Sequence, residues 1–166
     1  MPKVHKNPMV LCLVVSCINS FSSIFSNWLD LKRKDLLFSI TSYIKDSKDL
    51  LTEIIKMTLP QNATLFTADA SAVYTNINTN TGIIAFENLF HDYDSLIPKG
   101  FPKDLFIKVL KLVMENNIFR FGDTFWLQTQ GTAMGTPAAP LYSILTFGYH
   151  KNTSFLNTSK PTSFIL

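Results

Sequence analysis

The stretch from Thr124 to Tyr149 contains no Asp, Glu, Lys or Arg, and it constrains the fold more than any other feature of the chain. An uncharged segment of this length raises the question of a membrane span. Gln128, Gln130, Gly131, Pro137 and Pro140 interrupt it, whereas a spanning helix needs about 20 mostly apolar residues in a row. The reading is a hairpin strand, a Gly- and Pro-punctuated loop and a helix. A second uncharged stretch, Asn7 to Leu29, is apolar only from Met9 to Val15 before Ser and Asn break it, so no membrane segment is expected there either.

Composition supports one well-packed domain. The chain has 166 residues, of which 46% are hydrophobic and 16% charged, with 14 Phe. The charged fraction lies below the ~25% of an average soluble domain, which implies a large core or surfaces meant for a partner. A chain of this length buries about 68–70% of its unfolded surface and needs no disulfide or metal staple. Cys12 and Cys17 have no His or Cys cluster near them, so they read as buried thiols. The net charge of +3 is too small to mark a nucleic-acid binder by itself.

An exported protein is a rival reading. Lys3, His5 and Lys6 precede a short apolar run, and Val14-Val15-Ser16-Cys17 fits a loose lipoprotein cleavage pattern. Pro2, Pro8 and the shortness of the apolar core count against it. The sequons at Asn62, Asn152 and Asn157 are frequent by chance in a chain rich in Asn, Ser and Thr. Secretion is not expected, and no run reads as an import signal that would choose between nucleus and cytoplasm.

Periodicity predicts a helix over Asn19 to Asp35, with Lys32-Arg33-Lys34 in its last turn as a solvated end or a phosphate contact. Asp46 or Ser47 should cap a second helix whose Leu50, Leu51, Ile54 and Ile55 form a core stripe before Pro60. Thr64 to Tyr74 reads as a strand buried on both faces. Thr79 or Asn80 should cap a helix to about Phe90, and Pro102 should open another to Glu115. Ile118 to Phe121, Gly122-Asp123 and Thr124 to Gln128 read as a β-hairpin. A loop from Thr129 to Pro140, a helix over 141–150 and an irregular tail from 151 to 166 complete the pass.

Two features carry candidate chemistry. Asp69 sits inside the uncharged strand, and residues 57 to 98 contain no Lys or Arg. Desolvating a carboxylate without a partner costs several kcal/mol, so Asp69 needs a distant basic residue brought in by the fold, a divalent cation, or a raised pKa. The second feature is Thr129-Gln130-Gly131-Thr132-Ala133-Met134-Gly135-Thr136-Pro137-Ala138-Ala139-Pro140. Its glycines, prolines and small side chains let backbone approach a flat ligand closely before a helix starts, although strand-to-helix connections have the same punctuation.

In this order and spacing the two features resemble reverse transcriptases, most closely the Penelope-like retroelement branch. Asp69-Ala70-Ser71-Ala72-Val73-Tyr74-Thr75-Asn76-Ile77 is similar to that branch's first catalytic motif, and Gln130 to Pro140 to its second. Pro2-Lys3-Val4-His5-Lys6 resembles the opening of its fingers. The resemblance covers residues 1 to about 150. It implies an α+β fold, a partial polymerase palm with part of the fingers, in one incomplete domain over 1–166: fingers-like to 60, palm-like over 61–150, then the irregular tail.

The function it implies is RNA-directed DNA polymerisation, with an RNA template, a DNA primer and deoxynucleotide triphosphates as partners and two Mg²⁺ ions clamping the attacking and leaving oxygens. Asp69 would bind the metals, helped by the Ala70 carbonyl. Tyr74 would pack under the sugar and exclude a 2′-hydroxyl by steric clash, the alternative being a plain core tyrosine. Gln130 and Gly131 would lie against nucleotide and template, Gly135 would start the helix beneath the base pair, and Lys3 and Lys6 would reach phosphates.

The match departs from the family at two places. Cys12 and Leu13 stand where the fingers have an Arg-Pro pair whose Arg holds the triphosphate. The third motif, aromatic-x-Asp-Asp, supplies the remaining metal carboxylate, and no Asp or Glu follows Asp123. The expectation is a retroelement polymerase fragment that is inactive alone and awaits a C-terminal polypeptide. The alternative is a non-catalytic nucleic-acid-binding remnant.

Overall fold

The computed structural model describes residues 2–3, 10–11, 17, 20–37, 40, 43–58, 61–62, 64, 70 and 72–156. Its class is α+β: helices α1 (Ser23–Leu37), α2 (Ser47–Lys56), α3 (Val73–Asn76), α4 (Thr79–Asp92), α5 (Lys103–Glu115) and α6 (Ala138–Leu156), with four short strands. The strands are β1 (Pro2–Lys3), β2 (Val10–Leu11), β3 (Ile118–Phe121) and β4 (Thr124–Leu127). They form two separate antiparallel ribbons, β1 with β2 and β3 with β4.

The core lies among four helices. α4 packs on both α5 and α6, and α1 packs on the same two from the other side. Leu29 and Leu36 of α1, Phe86 and Leu89 of α4, Phe106 and Leu110 of α5, and Leu141 and Leu145 of α6 are all fully buried. These positions recur at three- and four-residue spacings, which put one stripe of each helix inward. The Phe106 ring is the centre of an aromatic cluster, with Phe86, Phe90, Phe101 and Trp28 at centroid distances of 5.6–6.0 Å. Four of the 14 phenylalanines belong to this cluster, whereas Phe21, Phe25, Phe121, Phe125 and Phe147 are exposed.

Local signals set most of the helix ends. Asp46 caps α2 by accepting from the Lys48 and Asp49 amides at 2.9 and 3.0 Å. Asn78, one position before the expected cap, accepts from the Thr81 amide at 3.1 Å and starts α4. Pro102 opens α5. In the β3–β4 hairpin Gly122 takes φ +62° and turns the chain.

Four expectations are corrected. The α2 stripe is not core: Leu51, Ile54 and Ile55 are 57%, 42% and 74% exposed, because α2 contacts no other element among the described residues. The strand expected through Tyr74 does not include its last residues, since Ala72 adopts φ +52° and its carbonyl accepts from the Thr75 and Asn76 amides, so 73–76 form a helical turn. Residues 65–69 and 71 of that expected strand lie outside the described residues. The irregular tail expected from 151 is helix as far as Leu156, where Asn152 donates to the Tyr93 hydroxyl at 3.2 Å and Thr153 to the Tyr149 carbonyl at 3.1 Å; residues 157–166 lie outside the described residues. These bonds satisfy polar side chains within α6, which runs to Leu156.

The fourth correction is at the basic run. α1 continues past it to Leu37, and Lys32 Nζ sits 6.0 Å from the centroid of the Phe101 ring. Of the two cysteines, Cys17 is a free, half-buried thiol, and Cys12 lies outside the described residues. No described helix is long and apolar enough to cross a membrane.

Candidate functional site

The loop between β4 and α6 is clasped to α3, a turn within the first motif. The Gly131 amide donates to the Ile77 carbonyl at 3.0 Å, and the Thr132 amide to the Tyr74 carbonyl at 2.6 Å. Gly131 has φ +73°, and a Cβ there would stand 2.7 Å from Thr75 Cα and 2.8 Å from Thr75 O. Both obstacles are backbone and cannot rotate away, so the close approach and the left-handed conformation each call for glycine.

Three further tethers hold the loop and the helix it starts. Fully buried Ser26 of α1 accepts from the Ala138 amide at 2.9 Å, which satisfies one of the free N–H groups at the start of α6. Cys17 Sγ and Thr136 Oγ1 share a hydrogen bond of 3.0 Å. The Tyr142 hydroxyl donates to the Thr79 and Asn78 carbonyls at 3.3 and 3.4 Å, and burial pushes its pKa up to about 12. Gly82 of α4 leaves room for that ring, since a Cβ there would stand 2.8 Å from Tyr142 Cε2. The segments after the two motifs are thus joined at backbone and side-chain level.

The clasped loop separates two open clefts. Half-buried Tyr74 lines one of about 320 Å³ with Gly135, Thr136, Ala139 and Pro140. The other, of about 340 Å³, lies between the loop and the hairpin and is lined by Thr75, Phe119, Trp126, Gln128, Gln130 and Thr132, among others. Met134 borders both. Neither is lined by an ionisable carboxylate or a cation.

The sequence-derived site residues divide accordingly. Tyr74 and Gly135 share one cleft, Gly131 forms the clasp, and Gln130 lines the opposite cleft. Ala70 is exposed, Lys3 belongs to β1, and Asp69 and Lys6 lie outside the described residues. No group of three His, Cys, Asp or Glu side chains that would hold a metal occurs among the described residues. They therefore supply no donor set for a two-metal site.

Sequence reasoning missed Ser26 and Tyr142, and it placed Thr132 and Thr136 in the second motif without giving either a role of its own. Ser26 was one of several serines in a Ser-rich run, and Tyr142 was one aromatic residue in an apolar helix; nothing local distinguishes them. Thr132 is fully buried, and its hydroxyl has no hydrogen-bond partner among the described residues. No protein-family model, no curated protein and no solved structure matches the chain.

Proposed function

We propose that this chain is part of an RNA-directed DNA polymerase of the reverse transcriptase type, holding the nucleotide side of a polymerase palm. The observation that supports the reading is the clasp. The resemblance assigns residues 69–77 and 130–140 to one nucleotide site, and Tyr74 and Ile77 bond directly to Thr132 and Gly131. Contact between the motifs was not an ingredient of the sequence comparison.

In this reading the cleft beside Tyr74 takes the sugar of the incoming nucleotide, with Gly135 and Ala139 leaving room for it. The phenol ring excludes a 2′-hydroxyl by volume. Asp69 and the Ala70 carbonyl would hold Mg²⁺, which keeps several waters and needs only one or two protein carboxylates plus substrate phosphates. The acidic residues of the missing aromatic-x-Asp-Asp motif would have to come from another segment.

The test is binding and extension with an RNA template annealed to a fluorescent DNA primer. The 166-residue chain should bind it with an affinity that falls steeply with salt and should extend the primer only when a segment carrying aromatic-x-Asp-Asp is joined in cis. On that longer chain Asp69→Ala should abolish extension, and Tyr74→Ala should admit ribonucleotides. No binding at low salt, or extension indifferent to Asp69→Ala, overturns the reading. Salt-dependent binding with no extension on any longer chain favours the non-catalytic remnant.

A further inference from the structure

Helix α1 is buried along one side. Ser26, Leu29 and Leu36 are buried, whereas Ile24 and Leu31 are each 76% exposed, and Phe21, in the turn that leads into the helix, is 56% exposed. With half-buried Trp28 these three follow one another at spacings of three, four and three residues. That is the repeat by which one helix offers an apolar seam to another.

The seam continues onto α5. Among the described residues α5 has two helical neighbours, α4 and α1. Its Lys111 bonds to Glu87 of α4 at 3.0 Å, so the opposite flank, which carries Leu105, Val109 and Leu112, is turned toward α1. On α1, the Trp28 ring lies 6.0 Å from the Phe106 ring, so the flank that carries Trp28 is the one turned toward α5. Leu105 and Leu112 are exposed. With Phe21, Ile24, Phe25 and Leu31 they make one apolar face across the two helices, rimmed by exposed Asn27 and Lys108. At about 150–200 Å² for a whole side chain, the exposed fractions leave roughly 600 Å² of apolar surface, at the top of the range for a typical monomer.

We infer that a second copy of this chain covers the face, the two α1–α5 pairs meeting across a two-fold axis near Trp28 with α1 antiparallel to its mate. Area, spacing and charge all bear on that occupant. A standard interface takes about 800 Å² from each partner, of which about 60% is apolar, and this face supplies that share by itself. The spacing of the seam calls for a helix opposite, and α1 is one. Residues 7–29 hold no charged side chain, whereas the basic run 32–34 lies in the last turns of α1. A parallel pairing would bring two basic runs together, and the antiparallel one sets each against uncharged turns. A two-fold uses the same patch on both copies, so the assembly closes at two. The inference needs neither nucleic acid nor polymerase chemistry and is independent of the proposed function.

Sedimentation equilibrium of the 166-residue chain should show a monomer–dimer equilibrium with no larger species. Leu31→Glu should weaken the dimer roughly 30-fold or more, as removal of a central anchor does, and Phe21→Lys should act likewise. Both positions are exposed within the chain, so both variants should keep the parent's helix content by circular dichroism. Ile55→Lys on α2 and Phe125→Lys on the hairpin, at exposed positions away from the face, should leave the dimer unchanged. In the double variant Phe21→Lys with Leu31→Glu, antiparallel pairing sets each new ammonium near a new carboxylate of the other copy, and the dimer should be largely restored.

A chain still monomeric at roughly 0.1 mM overturns the inference and assigns the face to a different protein or to a further segment of a longer chain. A dimer indifferent to Leu31→Glu, or dissolved by Ile55→Lys or Phe125→Lys instead, places the contact elsewhere and overturns it as well. Species that grow without limit have the same force, because a two-fold contact closes at two. A double variant as monomeric as the single ones overturns the antiparallel pairing.

Discussion

Gly131→Ala tests whether the clasp is a contact on which the fold depends. Two costs add at this position. An alanine held at φ +73° loses about 1–2 kcal/mol relative to glycine. Its Cβ would also meet Thr75 Cα at 2.7 Å and Thr75 O at 2.8 Å, and forcing an extra carbon into packed surroundings costs about 1–3 kcal/mol. The chain can escape the clash by opening the clasp, but two backbone hydrogen bonds are then lost, at about 1 kcal/mol net each. The strained route totals roughly 2–5 kcal/mol and the opened one about 2 kcal/mol, so the cheaper route sets a loss of about 2 kcal/mol, or roughly 4–8 °C in Tm for a domain of this size.

The structure provides a control for each part. Gly100 has φ +82° and open space where a Cβ would go, so Gly100→Ala should show the conformational cost alone. Gly82→Ala should show mainly a steric cost, because its Cβ meets the Tyr142 ring and its φ is not left-handed. Urea unfolding of the three variants measures the separation, and hydrogen exchange locates it. The Gly131 and Thr132 amides should lose protection in Gly131→Ala and keep it in Gly100→Ala. Equal destabilisation of those two variants, or protected clasp amides in Gly131→Ala, refutes the reasoning.

Tyr142→Phe should destabilise by about 0.5–1 kcal/mol in urea melts near neutral pH, because the two bonds it removes are long. Tyr142 ionises near pH 10 when unfolded and at about 12 when folded, so the neutral phenol favours the folded state. Its contribution is intact below pH 10 and is lost as pH rises from 10 toward 12; Tyr142→Phe should show a shallower fall over that window. Ile55→Lys, at a position 74% exposed, should change the melting free energy by no more than about 0.5 kcal/mol, and a loss of 2 kcal/mol would mean that α2 is covered after all.

The helices were legible where one short segment holds its own signal. Asp46 accepts from the amides two and three residues ahead, Pro102 precedes α5 directly, and Gly122 turns a chain already patterned as two strands. The α2 stripe shows the limit of that kind of reading. Periodicity establishes that Leu51, Ile54 and Ile55 share a face, but burial depends on a second element, which the pattern of α2 does not contain. The Tyr142–Gly82 contact fails for the same reason, because its two halves lie on different helices and neither is unusual by itself. In the candidate site, Gly131 was legible as a position where backbone approaches closely, yet the surface it approaches turned out to be the chain's own Thr75 and not only a ligand.

That last point bears on how the site keeps its shape. The loop is held by backbone bonds from Gly131 and Thr132, by Ser26 against the start of α6, and by Cys17 against Thr136. Tyr142 fastens α6 to the start of α4. None of these tethers is an ion pair, and none uses a carboxylate that a metal would need. The Tyr74 cleft is thus shaped by the tethered loop and the start of α6 before any ligand binds, whereas the hairpin that walls the other cleft packs on no other element among the described residues. In the proposed reading, a polymerase fragment built in this way separates recognition from chemistry. Without its metal carboxylates such a fragment would lose the metal-dependent step and keep the wall beside Tyr74, because none of the tethers that hold that wall is a catalytic group. Recognition without turnover is therefore what the proposed function implies for these 166 residues by themselves.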